Sequence, residues 1–186
     1  MSNGGDDLHA WLTFLRRWRN AEPADPHGLP PLAPESLPAD GWFRFVQLLN
    51  SALTERLQAW VDGLLKALTA AGDEFDRGRA LAQGRRGLVP IRAVAGHPGL
   101  PEPLARHLRG LVDEQVVLVQ QTLEEGVETL RRAGGDGRLV ENRLRTLREN
   151  SLTASVAHFP GPLDEWATEP VRPSRRIITG PSTTAG

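Results

Sequence analysis

The chain has 186 residues, a net charge of −1 and no cysteine. Near-neutrality excludes a global electrostatic pull toward nucleic acid or an anionic membrane. The missing cysteine excludes disulfides, thiolate metal sites and a cysteine nucleophile.

Hydrophobic residues make up 39% of the chain, and the 19 glycines and 15 prolines are clustered rather than spread. One helical domain with proline-rich ends is expected from this distribution. The start MSNGGDDLHAW is acidic and polar, unlike a secretory leader. Val116–Val119, the longest wholly apolar run, falls far short of the ~20 residues that span a membrane. A cytoplasmic location is the expectation. Arginine supplies all the positive charge except Lys66, which reads as codon usage in a GC-rich bacterial genome.

The first element is a short amphipathic helix within residues 1–19. Leu8, Trp11, Leu12, Leu15 and Trp18 recur at helical spacing, with Asp6 or Asp7 at the start and Arg16, Arg17 and Arg19 in the last turn. A helix this short is marginal alone and must dock on something. Residues 20–40 carry Pro23, Pro26, Pro30, Pro31, Pro34 and Pro38 and read as an extended tether.

Residues 41–157 are expected to form the helical bundle. In Trp42–Ala71, the residues Trp42, Val46, Leu49, Leu53, Leu57, Trp60, Leu64, Leu68 and Ala71 step by threes and fours, averaging close to the ~3.6 of an α-helix. Glu74–Gln83 can continue helically. Residues 84–100 then read as a connector, because Gly84, Gly87, Pro90, Gly96, Pro98 and Gly99 interrupt them. Within the connector, Leu88–Val94 is expected to lie extended on the bundle. A second stripe over Leu104–Ala133 begins at Pro101–Pro103 and runs through Leu104, Leu108, Leu111 or Val112, Val116, Val119, Leu123, Val127 and Leu130. Gly134, Gly135 and Gly137 end it, and Arg138–Val156 follows as the second arm of an αα-hairpin. Residues 158–186 hold Pro160, Pro162, Pro170 and Pro173 and are expected to be a disordered tail.

The fold class is therefore all-α. It is an elongated antiparallel bundle of two long helices, a hairpin arm and a short N-terminal helix, with coiled-coil-like stripes.

Catalytic patterns are missing. There is no phosphate-binding glycine loop, no G-x-S-x-G turn and no glutamate followed three residues on by histidine. His9, His27, His97, His107 and His158 show no zinc spacing. No catalytic residue, metal or cofactor is assigned.

Three segments carry the functional expectations. Trp11, Phe14 and Trp18, flanked by arginines, can dock in a partner's groove, lie in a membrane interface (residues 8–19), or close this protein's own bundle. Phe159, Leu163 and Trp166 among prolines resemble a linear docking motif. Arg77, Arg79, Arg85, Arg86 and Arg92 among glycines suggest an anion site. Nucleic acid is disfavoured there, because acidic residues precede the cluster and no aromatic stands within it to stack on a base. The leading expectation is a non-enzymatic scaffold or adaptor that forms a homo-oligomer or binds a protein partner. A membrane-associated coat protein and a nucleic-acid accessory factor are the alternatives.

Overall fold

The computed structural model describes residues 4–153, and among these all regular structure is helical. The helices are α1 (Gly4–Arg19), α2 (Ala39–Ala70), α3 (Glu74–Ala95), α4 (Glu102–Arg132) and α5 (Gly137–Glu149), with a 3₁₀ turn at Pro34–Ser36. They pack as a helical bundle around one apolar core.

The boundaries follow local chemistry. Asp73 caps α3 by accepting from the Asp76 amide at 2.8 Å, and Asp136 caps α5 by accepting from the Arg138 amide at 2.9 Å. Pro101 and Pro103 open α4, where missing amides cost nothing. At its far end the Gly135 amide reaches the Leu130 carbonyl and the Gly134 amide reaches Arg131, both at 3.1 Å. Gly134 has φ +79°. This paired arrangement is the glycine-terminated helix end that lets α5 fold straight back.

Contacts fix the helix directions. Gly87 lies by Trp60 and Gly84 by Leu64, so α2 and α3 are antiparallel. Arg92 pairs with Asp113 and Gly96 lies by Arg109, which makes α3 and α4 antiparallel. Gln120 accepts from the Leu152 amide just beyond α5, setting α4 against α5. Glu74 pairs with Arg143 while Gly78 faces Thr146 and Asn150, so α3 and α5 run the same way.

The region assigned from sequence to a connector at residues 84–100 is corrected by α3, which continues through to Ala95. Leu88–Val94 is helical, not extended. Gly84 and Gly87 act as contact points rather than breaks. A Cβ on Gly84 would stand 2.9 Å from Leu64 Cδ1, and one on Gly87 would stand 3.1 Å from Trp60 Cδ1. The helix thus accepts a propensity cost of about 1 kcal/mol per glycine and gains a close α2–α3 approach. The Trp60 indole seals the contact by donating to the Gly84 carbonyl at 2.8 Å. Only Gly96–Pro101 remains as the turn.

Both long stripes are covered within one chain. Leu49, Leu53, Leu57, Trp60, Leu64 and Leu68 of α2 are buried, as are Leu108, Val112, Val116, Val119 and Val127 of α4. Each fully buried side chain of this size contributes about 1.5–3 kcal/mol.

The first helix docks in cis. Trp11 is fully buried, edge-on to Phe45 at 5.8 Å and to His97 at 5.0 Å. Its indole N–H donates to the Pro30 carbonyl at 2.8 Å. The tether is fastened as well, since the Leu32 amide donates to the Gly99 carbonyl at 2.7 Å. Trp11 lies by Phe45 while Arg19 lies by Glu55, so α1 runs parallel to α2. Parallel neighbours need a long return path, and residues 20–38 supply it.

Candidate binding groove between the first two helices

Side-by-side packing of α1 and α2 leaves an open groove of about 660 Å³. Leu12 and Leu15 of α1 form one wall, and Leu48 and Ala52 of α2 form the other. These pairs sit three and four residues apart, the spacing that places side chains on one helical face. At the foot of these walls, Leu15 and Ala52 are buried at 4% and 1% exposure and form the floor of the groove. Leu48 remains 44% exposed.

The groove is polar at one end, where Arg16, Arg19, Asn20 and Glu55 line it. Arg19 forks onto Glu55 through Nε and Nη2, both at 2.5 Å, and Ser51 Oγ donates to the same carboxylate at 3.3 Å. The hydrogen bonds from Arg19 hold the Glu55 carboxyl below its ordinary range, and Glu55 in turn raises the Arg19 guanidinium. Both groups are solvent-facing, so the fork orients the rim rather than stabilising the fold. Arg16 has no ion-pair partner among the described residues. It is the charge left for a ligand.

The residues singled out from sequence are distributed differently. Trp11, Phe14 and Trp18 all belong to the core, at 0%, 6% and 5% exposure. Of the three roles the sequence leaves open to this aromatic face, the structure shows it packed on the protein's own bundle, with Phe14 stacked on Trp18 and Arg56 of α2 over the Trp18 ring. Burying this face locally removes the apolar surface that a second surface would otherwise have to cover. Phe159, Leu163 and Trp166 lie outside the described residues.

The arginine cluster is not gathered into one patch. Helical spacing puts Arg79 and Arg86 on one side of α3 and Arg77, Arg85 and Arg92 on another. Arg77 pairs with Glu74, Arg92 pairs with Asp113, and Arg79 lies 5.4 Å over the Phe75 ring. Burial, and then repulsion from Arg86, lowers the Arg85 guanidinium from its ordinary value. Arg92 ties α3 to α4, whereas the contacts of Arg77 and Arg79 stay within α3.

Among the described residues no group of three or more His, Asp or Glu side chains could hold a metal ion. No described helix is long and apolar enough to cross a membrane. No protein-family model matches the chain, and neither a curated protein nor a solved structure matches it.

Sequence reading passed over Leu48, Ala52, Arg16, Arg19 and Glu55 as a site. The one available signal was Leu48, an apolar residue standing beside the main stripe rather than in it.

Proposed function

We propose that the protein is a non-enzymatic adaptor that recognises an apolar protein segment through the α1–α2 groove. The observation carrying this reading is the groove itself, an open trough with Leu12 and the exposed Leu48 at its sides and charged residues at one end. Its walls repeat at helical spacing, which suits an inserted segment carrying apolar anchors every three or four residues. The polar end, with Arg16 uncommitted, sets orientation and favours an acidic flank.

The test is affinity capture from cells of the source organism, with wild-type protein compared against Leu48→Glu. A specific partner retained by wild type and lost by the variant, with unchanged thermal unfolding, is the expected outcome. Equal capture by both proteins would remove the groove from the function.

Self-association is the second reading, and Phe43 (62% exposed) and Leu118 (55% exposed) favour it. A light-scattering mass of twice the 20.3 kDa chain would support that reading. A mass equal to one chain would favour recognition of a separate partner.

A further inference from the structure

An occupant of the α1–α2 groove needs closely spaced apolar anchors and negative charge beside Arg16. The chain carries such a segment itself. Leu163-Asp164-Glu165-Trp166 places two acidic residues between two apolar ones.

Reach is sufficient. Leu152 is fully buried, and a Cβ on Gly84 would touch both Leu152 and Leu64, so the chain leaves the bundle beside Leu64 on α2. From Leu64 back to Leu48 along α2 is about 24 Å at 1.5 Å per residue. The path must also pass around a helix about 10 Å across. The ten residues from Thr153 to Leu163 extend to roughly 33 Å, and three more bring Trp166 to about 43 Å. Leu163 therefore arrives first, at the Glu55–Ala52 end, and Trp166 follows toward Leu48 and Leu12. Asp164 and Glu165 then come abreast of Arg16.

We propose that Leu163–Trp166 of this chain occupies the α1–α2 groove in cis, keeping the docking face covered until a competing segment displaces it. This rests on the reading of the groove as a docking face. A segment tethered at this distance acts at an effective concentration in the millimolar range. The chain's own segment therefore prevails over a second copy at micromolar protein.

The absence of native cysteine makes the test direct, because two introduced thiols can react only with each other. Full-length protein carrying Arg44→Cys with Ala167→Cys is oxidised at micromolar concentration beside Thr54→Cys with Ala167→Cys. Arg44 is exposed one turn before Leu48 on the same side of α2, whereas Thr54, six residues beyond Leu48, is exposed about 120° away around the helix. The expected result is an intramolecular disulfide forming at least ten-fold faster in the first pair. Adding Asp164→Arg and Glu165→Arg should slow it. Equal rates in the two pairs, linkage only between molecules, or indifference to the charge reversal would overturn the proposal. Any of these results alongside capture that still fails in Leu48→Glu would leave the groove to an external partner, so the two readings fail separately.

Discussion

His97 sits where three segments meet, and its imidazole works as a neutral group. The ring is 5% exposed, packs edge-on against Trp11, and accepts from the Gly99 amide through Nδ1 at 3.0 Å. The proton therefore resides on Nε2. Burial lowers the pKa below its ordinary 6.5, the hydrogen bond with the Pro26 carbonyl works against that shift, and nearby His27 adds to it. The unfolded chain thus takes up a proton at a higher pH than the folded one does. Stability is full above the ordinary histidine range and falls as pH drops below about 6.5 toward the folded value. Urea unfolding at pH 7.5 and 5.5 should show a lower midpoint at pH 5.5. His97→Asn keeps an acceptor near Gly99 but does not titrate, so it should reduce that difference.

Trp60 is the second residue on which local geometry depends. Trp60→Phe keeps a ring but loses the bond to the Gly84 carbonyl, an expected cost of about 1 kcal/mol. Trp60→Ala also opens a cavity between α2 and α3, and should cost about 3–5 kcal/mol by chemical denaturation. If the two variants unfold alike, the indole does not hold this interface.

At the scale of elements, α3 shows where sequence and structure part. Trp42–Ala71 anticipates α2 at Ala39–Ala70, and Leu104–Ala133 anticipates α4 at Glu102–Arg132. Regular apolar spacing over eight or nine turns overwhelms any local ambiguity there. α3 offers no such regularity. Its Gly84, Gly87 and Pro90 carry the same symbols as a loop, and only the neighbouring α2 reveals that the glycines meet Leu64 and Trp60. Tertiary contact outweighed helix propensity. Pro90 is exposed, lies inside the helix and has no N–H to contribute to it. Pro90→Ala should therefore raise stability by about 1 kcal/mol or more, read as a higher thermal midpoint. A lower midpoint would mean that the local geometry set by this proline is itself required for packing. The groove was legible only in part for the same reason. Its leucines stand in the sequence, but only the packing of α1 beside α2 brings Leu12 and Leu48 to one hollow.

For the whole molecule, the arrangement of α1 is the organising fact. A sequence view allows the proline-rich residues 20–40 to be a free spacer, yet Trp11 to Pro30 and Leu32 to Gly99 fasten both ends of that path. Trp11 contacts Phe45 from α2 and His97 from the turn between α3 and α4, so its site is complete only once residues up to Gly99 are in place. Residues added at ~5–20 per second leave an interval on the order of five to twenty seconds between the appearance of Trp11 and that of Leu100. α1 thus leaves the ribosome well before its seat exists, and a chaperone or a neighbouring nascent chain meets its bare indoles in the meantime. In refolding, Trp11→Phe should leave the folding rate nearly unchanged and accelerate unfolding, the signature of a contact made after the rate-limiting step.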